Sequence, residues 1–295
     1  MEWYFFVLIS AALFSFYYII LKVNLHHKHV PDYLFVYSLF ALAAALPLYK
    51  SVQALQPLQY ILIYADALML TLFFITLTYA YKHLELSEIS PLSNLTLVLT
   101  VVGGLVLFHE RLRPVNIIGI LLIVIGAYIL EVGIKLDKIK KLVAHIQTKY
   151  VRLALISSVF SASSLLLDKI ILEPSVIGLD IIPTNVFTLQ VFTRLFIAVN
   201  MAVFVMAKSR SFEGVTHALR TSSFMIFLAA IAYTLGNLAY YKAMSVQYAA
   251  LVAPLLSLSS LLTTIIGGEL FHEHNLAQKA VATLIMIVGT YFVVI

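Results

Sequence analysis

Long apolar runs alternate along the chain with short polar or proline-bearing stretches, and this pattern predicts ten membrane-spanning helices. A spanning helix needs about 20 mainly apolar residues. The predicted spans cover 3–22, 33–50, 58–81, 87–108, 114–131, 150–171, 184–207, 221–242, 247–271 and 276–295. The pattern therefore indicates an all-α polytopic membrane protein, which we expect in the cytoplasmic (plasma) membrane.

The second half of the chain repeats landmarks of the first half at a constant offset of 163 residues. The repeated pairs are Pro91 and Pro254, Gly104 and Gly267, Glu110 and Glu273, and Gly126 and Gly289. Phe108-His109-Glu110 recurs whole as Phe271-His272-Glu273. Self-similarity in one register indicates an internal duplication. It divides the chain into a first repeat at 1–132, a basic linker at 133–149 and a second repeat at 150–295.

Five predicted spans in each repeat have a geometric consequence. Because five is odd, the second repeat enters the bilayer from the opposite side, so the halves form an inverted repeat. Secondary transporters commonly have this arrangement, with a substrate site near the midplane and access alternating as one half rocks against the other.

Composition narrows the class of protein further. The 295 residues are 62% hydrophobic and 11% charged, whereas a soluble domain carries about 25% charge. The chain has no Cys, which excludes disulfides and cysteine metal sites. The basic residues lie in loops between apolar runs, so no nucleic-acid partner is expected. We find no phosphate-binding loop and no nucleophile–base pair at membrane depth, so we expect neither an ATPase nor an enzyme, and no cofactor.

The loops give further expectations. The cluster from His26 to His29 fits no standard zinc pattern, so no metal site is predicted. The segment Lys135 to Lys149 is either an amphipathic helix on anionic lipid or a solvated linker. Most Lys and Arg residues fall on the face opposite the termini, and the positive-inside rule then places both termini outside.

At this point the sequence resembles the two EamA repeats of the drug/metabolite transporter superfamily. The residues that carry the resemblance are Ala80, Leu84, Ser87, Pro91, Gly104, His109-Glu110-Arg111-Leu112, Ile118-Gly119, Gly126, Pro254, Gly267, Glu273 and Gly289. The second repeat departs from this pattern at His274-Asn275, which replaces Arg111-Leu112 without a following proline. The resemblance implies a ten-helix carrier with cytoplasmic termini, which disagrees with the loop charges. It leaves the substrate open among amino acids, drugs and metabolites.

Two charged residues inside predicted spans are the first candidates for a site. Arg194 lies near the middle of its span, where a charge is costly and faces the bundle interior or a wet cavity. It either holds an anionic group of the substrate or pairs with a carboxylate on a neighbouring helix. Asp66 is a candidate for proton coupling, and the alternative is that it neutralises Arg194.

Uncharged polar residues supply the remaining candidates for substrate binding. They are Ser90 and Asn94 beside Pro91, Ser257 beside Pro254, and Asn237 and Tyr240 in the eighth span. Helix packing explains the serines equally well. We expect Glu110 and Glu273 to stabilise the positive N-terminal end of the helix that follows each, and Lys169 to reach the membrane interface.

These patterns predict a transporter of a small metabolite that works without ATP, and Arg194 favours a substrate with an anionic group. The many tyrosines leave open an exporter of lipophilic cations or drugs. A lipid-carrier flippase and a non-transporting receptor or scaffold are further alternatives. The expected partners are a small-molecule substrate and membrane lipids, and the last helix of each half suggests a possible homodimer.

Overall fold

A computed structural model describes residues 2–25, 30–84, 95–132, 149–209, 213–270 and 276–295. Four candidate site or repeat residues, Ser90, Pro91, Asn94 and Glu273, lie outside the described residues, as do Ser87 and the other residues quoted from 271–275. The same holds for the His26–His29 cluster and for nearly all of the basic linker at 133–149. The predicted roles of these residues therefore stay predictions.

The described residues form α-helices joined by short connections. In chain order the helices are α1 (Trp3–Leu25), α2 (Val30–Ala45), α3 (Pro57–His83), α4 (Leu95–Leu107), α5 (Pro114–Val132), α6 (Lys149–Leu172), α7 (Val186–Ser209), α8 (Glu213–Met244), α9 (Ala249–Leu256), α10 (Leu258–Leu270) and α11 (Leu276–Val294). Two short 3₁₀ helices cover Leu46–Ser51 and Pro174–Ile177. Proline opens α3 and α5, because its missing N–H is not needed in a first helical turn.

Among the described residues, six helical segments are long and apolar enough to cross a membrane, and they lie within α1, α2, α3, α6, α7 and α8. The other predicted spans coincide with shorter apolar segments at Leu95–Leu107, Pro114–Ile129, Ala249–Thr263 and Val281–Val294. The all-helical membrane class is thus confirmed, and the number of ten spans stays a prediction.

The predicted span 247–271 is interrupted rather than continuous. α9 ends at Leu256 and α10 begins at Leu258. Pro254 lies inside α9 near its C-terminal end, and it has no N–H to give to the helix. Ser257 fills the break, since its N–H and its hydroxyl both donate to the Pro254 carbonyl, at 3.1 and 2.6 Å.

Polarity is distributed in the opposite way from a soluble protein. Large apolar side chains lie on the outer surface, as Leu121 and Leu284 do at 55% and 64% exposure. The charged side chains of Asp66, Asp168 and Arg194 are buried, with 0%, 2% and 1% of their surface exposed. Such a surface suits a hydrocarbon solvent, in which intramembrane charges face the interior of the bundle.

Helix contacts repeat under exchange of the two halves. α1 packs against α8 and α3 packs against α6, while α2 packs on α7 and α5 on α11. The α5–α11 crossing shows the exchange in detail. A β-carbon at Gly119 would lie 2.7 Å from the Gly289 carbonyl oxygen, and one at Gly126 would lie 3.1 Å from the Ala282 carbonyl oxygen. Adding 163 to one member of each pair gives a member of the other pair, so the two contacts are equivalent by the repeat.

A polar layer separates two apolar cores. One core includes Leu70 of α3 and Ile197 of α7. The other includes Ile63 and Leu189 of the same two helices. Between these positions α3 carries Asp66 and α7 carries Arg194. The buried charges therefore occupy a layer in the middle of the bundle.

Candidate functional site

A cavity of about 170 Å³ lies within the helix bundle, beside the polar layer. Its wall is built from α1, α3 and α4 of the first half and from α6, α8, α9 and α10 of the second half. Drug-sized ligands occupy pockets of about 300–1,000 Å³. This cavity therefore suits a small solute or a group of water molecules.

The cavity wall combines aromatic rings with hydroxyl groups whose hydrogens are already used. The rings belong to Phe14, Tyr18, Phe73, Tyr81, Tyr233 and Tyr240. The hydroxyls of Ser257 and Ser260 donate to carbonyls of their own helical turns, at 2.6 and 2.7 Å. The Thr96 hydroxyl donates to the Ser158 carbonyl at 3.3 Å. Because these protons are engaged, the hydroxyl oxygens face the cavity as acceptors.

Asp168 is the carboxylate on this wall, and the sequence analysis missed it. It belongs to α6, 2% of it is exposed, and it lines the cavity. Its Oδ1 atom makes no hydrogen bond of good geometry among the described residues, although the hydroxyls of Tyr240 and Tyr241 interact with the carboxylate. A buried carboxylate oxygen without a well-placed donor is costly, so a donor that enters the cavity competes with these two hydroxyls for this atom.

A signal in the sequence was present for Asp168. Ser157, Ser161, Ser164 and Asp168 are spaced by three or four residues, which places them along one face of a helix. Three of the four line the cavity. The pair Asp168-Lys169 resembles the charged end of a span, so Asp168 was not recognised as part of this polar helix face.

Asp66 lies behind the wall rather than on it. Its carboxylate accepts hydrogen bonds from Ser164 at 2.5 Å and from Thr193 at 3.2 Å. Ser164 itself lines the cavity, so one side chain separates Asp66 from that space. Asp66 is thus fully buried and bonded at both oxygens, and its role in proton coupling stays a prediction.

Arg194 is also absent from the wall. Its guanidinium carbon lies 4.9 Å from the centre of the Tyr233 ring, and Tyr233 lines the cavity. None of its three guanidinium nitrogens has a hydrogen-bond partner among the described residues. The predicted pairing with a neighbouring carboxylate is therefore not a hydrogen-bonded one, although Asp66 and Asp168 both interact with it electrostatically.

Three of the predicted substrate-binding residues do line the cavity, namely Asn237, Tyr240 and Ser257. Asn237 is held in place, because its amide nitrogen donates to Gln190 Oε1 at 3.2 Å. Its carbonyl oxygen thereby stays available as a further acceptor. Whether any of these residues binds a solute stays a prediction.

Glu110 stabilises a different helix from the one that the sequence predicted. Its two carboxylate oxygens accept the backbone N–H groups of Ala249 and Ala250, at 2.7 and 3.0 Å, at the start of α9. The expected helix was α5, so the prediction was wrong about the helix. His109 has a left-handed backbone, with φ of 51°, which turns the chain back. Gly104 leaves the room that the carboxylate occupies.

Lys169 does not reach the membrane interface as expected. It is 1% exposed, and its ammonium donates to Glu173 at 2.5 Å, to the Gln247 carbonyl at 2.8 Å and to the Met244 carbonyl at 3.2 Å. The two carbonyls belong to the end of α8 and the turn after it, where a cation is favourable. Glu110 and Lys169 therefore hold the two sides of the α8–α9 turn.

The other repeated glycines and Pro254 have structural positions. Gly126 and Gly289 lie at the α5–α11 crossing, where their missing side chains allow close packing. Gly267 lies in α10. The described residues of the repeat motif thus lie at the α5–α11 crossing, at the break after α9, at the contact with the start of α9 and in α10. None of them lines the cavity, although residues next to Pro254 do.

Comparison with known proteins gives a family and a fold. Residues 1–132 match the model of the EamA-like transporter family. One solved crystal structure of a protein shares 14% sequence identity with the chain, with a TM-score of 0.69, over 97% of this chain and 95% of that one. Identity this low shows a common fold alone. No curated protein matches the chain.

Proposed function

We propose, since residues 1–132 belong to the EamA-like transporter family of the drug/metabolite transporter superfamily, that the chain is a secondary transporter of a small organic cation. Family membership points to a transporter rather than an enzyme. In this proposal the solute crosses the plasma membrane by alternating access between two inverted five-helix halves. The observation that carries the choice of a cation is the unpaired Oδ1 of Asp168 on the cavity wall.

The inverted-repeat part of the proposal is supported by helix packing. The α1–α8 and α3–α6 contacts exchange when the halves are exchanged, as do the two close approaches between α5 and α11. With α9 and α10 taken as one broken span, the described helices supply five segments on each side of the linker. The cavity lies between the halves, where a carrier of this kind binds its substrate.

The cation part is supported by the chemistry of the wall. Asp168 supplies a carboxylate, the serine and threonine oxygens supply acceptors, and Tyr233 and Tyr240 supply ring faces. An ammonium group carries only donors and a positive charge, so each of these features attracts it. A carboxylate solute would instead face another carboxylate and a row of acceptors.

A second candidate is a transporter of an anionic solute, as the sequence analysis favoured. The observation on its side is the unpaired guanidinium of Arg194. That group packs on the Tyr233 ring, which lines the cavity, whereas Arg194 itself does not line it. In this second candidate, Arg194 would have to become accessible from the cavity for an anion to bind it.

Uptake into proteoliposomes from a mixture of small cations, anions and zwitterions, analysed by mass spectrometry, tests both candidates. We expect cations to accumulate, and uptake to be abolished by Asp168→Asn, because the amide removes the negative charge at nearly constant size. Asp180→Asn is the matched control, since Asp180 is an exposed acid in the loop after α6.

Two results would reject the cation proposal. One is uptake of anions that Asp168→Asn leaves intact and Arg194→Gln abolishes, which would establish the second candidate. The other is cation uptake that survives in Asp168→Asn at the wild-type rate, which would show that this carboxylate does not bind the solute.

A further inference from the structure

Arg194 is a buried cation whose nitrogens make no hydrogen bond within the described residues. It does not line the cavity, and its guanidinium carbon lies 4.9 Å from the centre of the Tyr233 ring. A charge in such a position is stable only if opposite charges lie nearby. Its contribution to the site is therefore electrostatic rather than by contact with a solute.

The nearby charges are two carboxylates that differ in their surroundings. Asp66 accepts hydrogen bonds from Ser164 and from Thr193, the residue that precedes Arg194. Asp168 lies on the cavity wall with one oxygen unpaired. Both interact electrostatically with Arg194 and with each other. We call Asp66, Asp168 and Arg194 the charge cluster.

With all three groups ionised, the charge cluster carries two negative charges and one positive charge. One negative charge then stays uncompensated in a layer that is closed off from bulk water. A buried net charge is costly, so the cluster takes up one positive charge from the cavity, either a proton or the charged group of a solute. Two positive charges would overcompensate it by the same amount.

From this balance we propose that Arg194 sets the charge of the transported solute. Its own positive charge limits the charge cluster to the uptake of one further positive charge. The inference rests on the proposed cation transport and adds its selectivity. Arg194 acts through the two carboxylates and not by touching the solute. It is thus a specificity-determining residue that packs on the Tyr233 ring.

A matched pair of probes isolates this effect. Butylammonium and butane-1,4-diammonium have the same carbon chain and differ by one charge. Equilibrium binding of each radiolabelled probe to purified protein in detergent gives the ratio of the two affinities. The wild type should prefer the singly charged probe by at least about tenfold, because the second ammonium group of the other probe would remain uncompensated beside a buried cluster whose charge is already balanced.

Three variants separate charge from fold. Arg194→Gln removes the positive charge, so the preference should reverse toward the doubly charged probe. Arg194→Lys keeps the charge and should keep the wild-type preference. Asp66→Asn combined with Arg194→Gln returns the cluster to one net negative charge, so the preference for the singly charged probe should come back.

Failure of the inference is distinguishable from failure of the proposed function. If the wild type binds butylammonium in an Asp168-dependent manner and folded Arg194→Gln keeps the same ratio, cation transport stands and the role of Arg194 is refuted. If neither probe binds the wild type, the cation proposal itself is refuted.

A further variant keeps the test decisive where Arg194→Gln does not fold. Asp66→Asn alone leaves the ionised cluster without net charge, so butylammonium affinity should fall at least about tenfold. Unchanged affinity in this variant would refute the inference.

Discussion

Glu110 offers the sharpest prediction about how the fold is held. Replacement of Glu110 by Ala removes the two acceptors of the Ala249 and Ala250 N–H groups. Both alanines are fully buried, and Glu110 is 7% exposed, so water is not in place to substitute for the carboxylate. The first turn of α9 would then contain two unsatisfied donors.

The magnitude follows from these contacts. A buried donor left unsatisfied costs about 1–3 kcal/mol, and loss of a negative charge at a helix N-terminus costs about 0.3–1 kcal/mol more. Removal of the buried carboxylate recovers part of its desolvation cost. A net destabilisation of about 3 kcal/mol is expected, with a fall of several degrees in the unfolding midpoint.

The pH dependence gives a second readout, which reports the burial of the same carboxyl group. Burial raises the pKa of Glu110 above its ordinary value of 4.5, although the amides of Ala250 and Ala249 and the nearby Lys169 oppose the rise. A carboxyl whose folded pKa is raised contributes most below its unfolded pKa. That contribution is lost as the pH rises through the folded pKa. The advantage of the wild type over Glu110→Ala should therefore shrink as the pH rises through this window.

Thermal unfolding of the purified protein in detergent, at pH values on both sides of 4.5, measures these effects. Asp180→Ala is the control, because it removes an acidic side chain that is exposed. An unfolding midpoint in Glu110→Ala equal to that of the control would refute the assignment of Glu110 to the α9 amides. A gap that widens with rising pH would contradict the raised pKa.

Three further predictions concern other described positions. His109→Gly should stabilise the protein by about 0.5–1 kcal/mol in thermal unfolding, because glycine adopts the left-handed backbone of this residue without strain; an equal or lower midpoint would contradict it. Gly119→Val should destabilise by about 2–3 kcal/mol relative to Ile118→Val on the lipid side, because a β-carbon there would lie 2.7 Å from a backbone oxygen of α11. Tyr233→Leu should destabilise by up to about 2 kcal/mol more than Tyr233→Phe, which keeps a ring beneath Arg194; equal midpoints would remove the cation–π contact from the account.

The sequence predicted the fold well because the signals for it are redundant. Apart from 247–271, which contains two helices, each predicted span overlaps one α-helix in the part of the chain that the structure describes, since a long apolar run has few other stable forms in lipid. The repeat was visible because Gly126 and Gly289 occupy equivalent positions at one crossing, where a larger residue does not fit. The break at Ser257 was harder, since Pro254 within an apolar run signals a bend without fixing where the helix stops.

The partner of Glu110 could not be predicted, because it is a contact between residues 139 positions apart. The sequence predicts that a carboxylate stabilises the positive N-terminal end of a helix, but it does not identify the helix. The left-handed backbone at His109 turns the chain so that Glu110 points toward α9. A histidine predicts that conformation less strongly than a glycine does. The same limit applies to Lys169, whose carbonyl partners come from α8 and the turn after it.

The two proposals for the charge of the solute differ in which charged residue faces the cavity. Arg194 is easily noticed in the sequence because it interrupts an apolar run. Asp168 lies beside Lys169, and the pair resembles the charged end of a span. A charge inside a membrane is costly whether it binds a solute or balances another charge, so its cost does not reveal its role. What distinguishes the two roles is that Asp168 lines the cavity, whereas Arg194 does not line it and packs on the Tyr233 ring. In the proposed function Asp168 therefore contacts the solute and Arg194 is its counter-charge, and a carrier built this way would select by the sum of its buried charges.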